Sequence, residues 1–430
     1  MIAERFPPDL GGVARSAFRT AHAAARLGWD VHVVAWTKTL PPGEVETLRS
    51  TAPSNGEPIV GGIELSVKPS VDQASVDQAS VDNSSADNSG VTVHRLGLFA
   101  NWDFSMQHTT NVLEWLHQQF DYTAAWGHYV YPSGYMAVVF AETVGIPSTV
   151  SARGNDIDRL MFPPGDFARL MWTLQRATVV SCVSQDLAAK VQMLLGDPIE
   201  VVVLPNVVDT DIFAPKSPST ANSEIQSLRN TLGIDDDEVV LGFCGELRHK
   251  KGLPFLLSAL VHVRQDRPAC LVVIGEVRPR ERAHLAAFAT EHPEAAERIL
   301  VTGSVDSPHD VARHFRICDV VLQPSVWDGM PNAVLEAMAC GKLVIASDAG
   351  GIPEAIEHGV SGFVIPKAQL HLLGTAVLEV VDLSPHHKQS IATAARVRIE
   401  QHFQHGAESQ RLSKLLRRLR PIDHSSSSYD

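Results

Sequence analysis

No strand-like run in this sequence is followed by GxGxxG, and GxxxxGK[ST] is absent, so neither the dinucleotide-oxidoreductase fingerprint nor the P-loop phosphate cradle is present. There is no CxxC pair. Cys182, Cys244, Cys270, Cys318 and Cys340 are scattered through apolar contexts and read as reduced core residues. The 19 histidines form no HExxH or comparable spacing, which removes the grounds for a dedicated metal site. No apolar run approaches the roughly 18 to 20 residues of a bilayer span, and no secretory signal opens the chain, so a cytoplasmic protein without a transmembrane helix is expected. A basic excess is missing too. With 36 Lys and Arg against 49 Asp and Glu the formal net charge is −13, which argues against a general nucleic-acid binder. Any anionic ligand must then be held by local positive charge.

What is present is ordinary for a globular protein: 44% hydrophobic and 20% charged residues over a length, 430, that fits two domains. The first half alternates amphipathic helix-length stretches with short apolar runs, among them "VARSAFRTAHAAARLG", "WDVHVVAW", "AAWGHY", "GYMAVVFAETVG" and "ATVVSCVS". Such alternation predicts βαβ units on a parallel sheet. Only about three residues of strand precede "FPP", so either the first strand is short or the chain starts further upstream. A degenerate polar repeat at 70–90 has little to bury and is expected to be a disordered insertion, as is the 421–430 tail.

After "VVVLPNVVDTDIF" a Pro/Ser-rich connection, 208–237, separates the first unit, 1–207, from a second alternation over 238–384. Several strands of the second unit are continuous apolar runs, such as "CLVVIG" and "LVIASD", as expected when helices cover both faces of a sheet. Two doubly wound Rossmann-like domains facing across a cleft follow, with ligands at the carboxyl ends of the strands. The segment 385–420 is helical and is expected to cross back to the first domain. Its last helix carries Arg411, Lys414 and Arg418 beside Leu412, Leu415, Leu416 and Leu419. That pattern fits a packing helix with a solvated basic face, or contact with an anionic lipid surface.

Chemistry concentrates in two strand-end loops of the second unit. In "LGFCGELRHKKGLPF" a strand ends at Gly245, and Arg248, His249, Lys250 and Lys251 lead into a helix, where cations and free N–H groups converge on an anion such as a diphosphate. In "WDGMPNAVLEAMACGKLVIASDAGGIPEAI", Gly329, Met330, Pro331 and Asn332 enter a helix with free backbone N–H groups, flanked by Asp328 and Glu336. Two carboxylates beside a phosphate site suit sugar hydroxyls rather than phosphate. The ligand these residues describe is two sugars, one of them a ribose, joined by a diphosphate.

Together these stretches, with "FPPDLGGVAR", "GHYVYPSGYMA", "SARGNDID" and "LPNVVDTDIF" in the same order, resemble the group 1 family of retaining glycosyltransferases, family 4, with the GT-B fold. The resemblance implies a sugar moved from a nucleotide-diphosphate sugar to a hydroxyl of a glycan, glycolipid or small-molecule acceptor, in cell-surface polysaccharide or glycolipid synthesis. It implies no cofactor, no metal and no nucleic acid, and leaves peripheral contact with the inner face of the membrane open.

Carried over by residue, the resemblance places Lys251 and Arg248 on the diphosphate, Glu336 on the ribose, and Asp328 on the transferred sugar with the N–H groups from Gly329 to Asn332. His128 matches the histidine directed at the donor sugar. Gly12 lets backbone approach the diphosphate, and Gly275, Thr302 and Gly303 lie in loops that meet the base. Gly11, Arg153, Asn155 and Asp156 fall on the acceptor side.

Two departures stand out: Asp328 replaces the usual Glu, and Glu246 occupies the usual Arg position. A carboxylate about 4 Å from a diphosphate costs roughly 4 kcal/mol per charge pair at intermediate dielectric, so Glu246 is expected to point away and Arg248 to take the Arg role. A nucleotide-sugar epimerase and a non-catalytic nucleotide-sugar binder are the competing readings.

Overall fold

The structure, a computed structural model, describes residues 1–9, 11–50, 63–64, 90–154, 156–196, 199–216, 218–305 and 307–420. The 70–89 repeat, the 421–430 tail and Asn155 lie outside the described residues.

The first sheet contains β1 (Ile2–Ala3), β2 (His32–Thr37), β3 (Val45–Ser50), β4 (Ile63–Glu64), β5 (Val91–Gly97), β6 (Ala125–His128), β7 (Ser148–Ala152), β8 (Val179–Cys182) and β9 (Val201–Val203). Their order is β4-β3-β5-β2-β1-β6-β7-β8-β9, parallel except around β3, which runs antiparallel to β4 and β5. The second sheet contains β10 (Val239–Cys244), β11 (Ala269–Ile274), β12 (Ile299–Val301), β13 (Val320–Gln323), β14 (Leu343–Ser347) and β15 (Phe363–Ile365), in the order β12-β11-β10-β13-β14-β15 and parallel throughout. The apolar runs that lacked alternation are the strands covered on both faces, and β11 is buried along its whole length.

Each sheet reverses its order of growth once. In the first, β1 lies between β2 and β6; in the second, β10 lies between β11 and β13. Chain leaving adjacent strands at such a point diverges to opposite faces, and the crevice beyond the carboxyl ends takes ligands. The loops after β10 and β13 meet there, with Val326 N donating to Lys250 O at 2.9 Å.

The stretch read as a connection is not plain linker. It carries the helix Pro218–Leu232, which packs on the helix Pro308–Ile317 of the second domain. At its start, Asp209 Oδ1 accepts from Asp211 N at 2.9 Å and Ile212 N at 3.1 Å, so the Asp-Thr-Asp triplet closes a turn. The chain returns at Phe403, whose carbonyl accepts from Val208 N at 2.9 Å. The helix His405–Arg417 then packs on Gly12–Arg26, and Leu412, Leu415, Leu416 and Leu419 are buried in the first domain's core. Its basic residues face outward: Lys414 and Arg418 are exposed, and Arg418 pairs with Glu200 at 3.0 Å.

A cavity of about 80 Å³ lies at the amino ends of β2 and β6, lined by Met1, His32, Ala125, Trp126, Tyr122 and Leu416. β1 fills only part of the space between its two neighbours, since it pairs at Ile2 and Ala3 alone. The cavity is therefore at the opposite end of the sheet from the ligand crevice.

Candidate active site

Lys251 closes a short turn, His249–Lys251, directly after β10, and Asp328 follows β13. Their side chains meet, with Nζ 2.5 Å from Asp328 Oδ2. Ser325 Oγ donates to the same oxygen at 2.9 Å, and Gly329 N donates to Asp328 Oδ1 at 3.1 Å. Burial raises the Asp328 carboxyl, but the Lys251 charge, hydrogen bonds from Lys251 and Ser325, and the Lys250 charge outweigh it and hold the group below the usual carboxylate range. In this arrangement both Asp328 oxygens are engaged within the second domain. The side chain lies against its own turn.

The cationic loop is crowded with like charge. Burial first, then Arg248 and Lys251, lower the Lys250 ammonium to about 8 against the pull of Asp328. Glu246, expected to point away from a diphosphate, turns to the Arg248 and Arg278 guanidinium groups. It lies 3.3 Å from Arg248 Nη1 and 3.5 Å from Arg278 Nε, a half-exposed carboxylate that offsets two guanidinium groups. Arg248 Nε is buried without a partner.

The helix Asn332–Ala339 begins after Pro331 with no side-chain cap; Val334 N donates to Pro331 O at 3.2 Å, and the N–H groups of Asn332 and Ala333 precede the first such bond. Asn332 Oδ1 is buried without a partner, and Met330 is buried. Glu336 lies one turn in, 6% exposed. Its ion pair is with Arg15 of the first domain, Nη1 to Oε1 at 3.9 Å, longer than a hydrogen bond. Burial raises this carboxyl, with Arg15 and Arg19 opposing. At the end of β10 the Cys244 thiol is pushed up by burial first and then by the Glu336 charge, with Arg15 and Lys251 opposing.

The base-side loops are tied to each other. Gly275 N donates to Thr302 Oγ1 at 3.1 Å, and that hydroxyl donates to Gly303 O at 2.9 Å. Gly275 has φ +141°, and a Cβ there would lie 2.4 Å from Gly245 O, so only glycine fits.

Across the cleft, Gly11 (φ +118°) precedes the helix Gly12–Arg26, and an added Cβ at either glycine would meet nothing within 4 Å. The start of this helix is open space. His128, at the end of β6, is fully buried. Its Nε2 lies 3.2 Å from Ser16 Oγ and its Nδ1 has no partner. Burial, and then the Arg153 and Arg19 charges, push the imidazole well below its usual range, so it is neutral at physiological pH.

On the expected acceptor side, Arg153 and Asp156 are held by contacts within the protein. Arg153 is buried and directs Nη2 at Ser16 Oγ and Asn206 Oδ1, each at 2.5 Å. Burial and the Arg19 charge lower it to about 10. Asp156 gives its carboxylate to backbone: Oδ1 to Gly154 N at 3.0 Å, and Oδ2 to Arg153 N at 3.2 Å and Val130 N at 3.4 Å. It shapes the loop beside His128. Among the described residues no group of three or more His, Cys, Asp and Glu is placed to hold a metal ion, and no helix is long and apolar enough to cross a membrane.

Arg15, Ser16, Arg19, Asn206, Ser325 and Glu354 form part of this crevice or its rim and were not singled out from the sequence. Arg15 and Arg19, four apart after the Gly-Gly turn, were the available signal. On an amphipathic helix such a pair reads as solvated surface.

Two doubly wound domains, with a cationic strand-end loop and paired acids at the second sheet's switch point, are the arrangement of a GT-B protein. Residues 238–382 match the family model for glycosyl transferases group 1, and residues 11–207 match that for the glycosyl transferase 4-like domain. The chain belongs to the group 1 glycosyltransferases, family 4. It is 27% identical over 264 residues to a D-inositol 3-phosphate glycosyltransferase of Segniliparus rotundus, covering 58% of this chain and 56% of that protein. An N-acetyl-alpha-D-glucosaminyl L-malate synthase of Bacillus anthracis is 25% identical over 239 residues, covering 55% and 59%. The chain thus spans little more than half the length of these curated relatives. Among solved structures, a sucrose-phosphate synthase from Thermosynechococcus elongatus superposes with a TM-score of 0.72 at 16% identity, covering 97% of this chain and 95% of that one. Anabaena HepE in complex with UDP and glucose gives 0.63 at 21%, covering 74% and 83%. These likenesses show the GT-B fold.

Proposed function

We propose that this protein transfers a sugar from a nucleotide-diphosphate sugar to an acceptor hydroxyl with retention of anomeric configuration. The observation that carries the reading is the meeting, at the second sheet's switch point, of the Arg248–Lys251 cations, the uncapped Asn332–Ala339 helix and the buried Glu336. Breaking the bond from the anomeric carbon to phosphate leaves negative charge on the diphosphate and an oxocarbenium-like sugar. Lys251, Lys250, Arg248 and the helix N–H groups stabilise that leaving group as fixed charges and dipoles in a site sheltered from water. The unpartnered Arg248 Nε and Asn332 Oδ1 are polar atoms such a donor satisfies. Glu336, whose Arg15 contact is looser than a hydrogen bond, accepts from the ribose diol.

Neutral His128 orients the donor sugar or stabilises charge near it, and the departing phosphate takes the acceptor proton on the face it leaves. Uridine is the first base to test, since HepE, of the same fold, was solved with UDP and with UDP-glucose. The relatives' printed names support small-molecule acceptors, and one names a putative teichuronic acid biosynthesis glycosyltransferase, in keeping with a glycan acceptor.

The test is a screen of nucleotide sugars for protection against thermal unfolding, followed by nucleotide release with and without acceptors. Release that depends on an acceptor is the expected result. Interconversion of donor sugars without an acceptor points to epimerisation, and protection without turnover across an acceptor panel points to a binding protein.

A further inference from the structure

Two side chains outside the proposed chemistry bridge the domains beside the donor loops. Asn206 is 8% exposed, in the loop after β9. Its Nδ2 donates to Met330 O at 2.6 Å, while Oδ1 accepts from Arg153 Nη2 at 2.5 Å and Arg19 Nη2 at 3.4 Å. Arg153 also donates to Ser16 Oγ, which lies against His128 Nε2, so a continuous polar path runs from His128 through Ser16, Arg153 and Asn206 to the Met330 carbonyl. Glu354 crosses in the other direction. Its Oε2 accepts from Gln185 N at 3.0 Å and its Oε1 from Asp186 N at 3.1 Å, the first two N–H groups of the helix Gln185–Leu195, where the helix dipole favours a carboxylate. Ser184 Oγ takes the next free donor, Leu187 N, at 3.2 Å.

The surfaces between these two contacts fit closely. A Cβ on Gly329 would lie 2.7 Å from Arg153 O and from Gly154 Cα, and one on Gly351 would lie 2.7 Å from Ser184 Cβ. Both are separations that Cβ atoms do not adopt. The two glycines therefore let backbone from one domain rest directly on the other.

We propose that Asn206 and Glu354 are positioning residues that clasp the second domain's loops at 328–332 and 350–354 onto the first domain, and thereby fix where the donor sits relative to His128. Neither touches substrate; each acts through the backbone it holds. That the clasp serves catalysis rests on the donor-site reading above, whereas its effect on domain closure does not. Losing a sheltered hydrogen bond, or one made to a charged group, shifts the closed-to-open ratio by about five- to tenfold.

Small-angle X-ray scattering of the full chain tests this, without nucleotide and with UDP as the probe. Asn206→Asp keeps an acceptor for Arg153 and Arg19 but has no donor for Met330 O; Glu354→Gln removes the charge and one of two acceptor oxygens. The expected result without nucleotide is a larger radius of gyration for each variant than for the wild type. With a UDP-sugar that the wild type turns over, kcat per folded molecule, the folded fraction being read by circular dichroism, falls about tenfold while the donor KM is retained; a fall matched by lost folded fraction would overturn the positioning role. Radii equal to the wild type in both variants overturn the clasp. If Asn206→Asp does not fold, Glu354→Gln alone decides. A wild type that binds no nucleotide overturns the donor-site reading instead, and the scattering comparison still judges the clasp.

Discussion

Lys251 Nζ lies 2.5 Å from Asp328 Oδ2, joining the carboxyl ends of two adjacent parallel strands across the switch point of the second sheet. The cation proposed to meet the diphosphate is thus paired with a carboxylate, whose negative charge opposes an anionic ligand at the same ammonium.

Asp328→Asn removes that competitor and leaves Lys251 without its buried partner. The expected outcome is UDP binding about fivefold tighter by calorimetry, with stability lowered by about 3 kcal/mol in urea unfolding. Tenfold weaker binding of UDP, which lacks the transferred sugar, would contradict the opposition between Asp328 and the diphosphate.

The crowding around Lys250 gives the site a pH signature. Its ammonium is lowered to about 8 from 10.5, so between those values the unfolded chain holds a proton that the folded chain has lost. Stability contributed by this group therefore rises with pH through that window. A bound diphosphate draws the proton back, so nucleotide binding takes up a proton near pH 8 and weakens as pH rises further. Calorimetry in two buffers of different ionisation enthalpy measures the uptake, and Lys250→Met abolishes it. Equal heats in both buffers with the wild type would rule the effect out.

Glu408 anchors the returning helix to the Gly12–Arg26 helix through Arg19 at 2.9 Å. Burial raises its carboxyl, but Arg19 and His405 outweigh burial and hold it at about 2, against an ordinary 4.5. This depressed group contributes stability that is fully present above pH 4.5 and lost as pH falls toward 2. Glu408→Gln should cost about 3 kcal/mol at pH 7 and flatten the loss over that acid window, as read by urea titrations at several pH values.

Gly329→Ala tests the close approach of the domains. Its Cβ would meet Arg153 O and Gly154 Cα at 2.7 Å, so the expected outcome is a more open pair of domains in small-angle scattering, with thermal stability of the second domain little changed. An unchanged scattering profile would mean that the loops yield.

Much of the fold was legible because many strands are apolar runs bounded by turn residues, from "VHVVAW" for β2 to "LVIAS" for β14, whereas the polar β3, "VETLRS", gave no such signal. The helix Pro218–Leu232 was missed because its Pro, Ser, Thr and Asn content reads as linker, and its packing partner, Pro308–Ile317, lies far along the chain. The site was legible where one loop carried several chemical groups, as in 248–251 and 328–336. It was not legible where the partner came from the other domain, as with Arg15 for Glu336, Asn206 for Met330 O and Gln185 N for Glu354. The partners of Glu246 were not legible either, since Arg278 comes from the loop after β11, far along the chain from Arg248.

The central claim is that Lys251 and Glu336 grip the two ends of a nucleoside diphosphate. Calorimetric affinity for UDP, or for whichever nucleoside diphosphate protects the wild type best, measures it on Lys251→Ala and Glu336→Ala. Each substitution is expected to weaken binding at least about tenfold, the loss of one charge-assisted contact, while leaving the fold intact by circular dichroism. Wild-type affinity in both variants would contradict the claim.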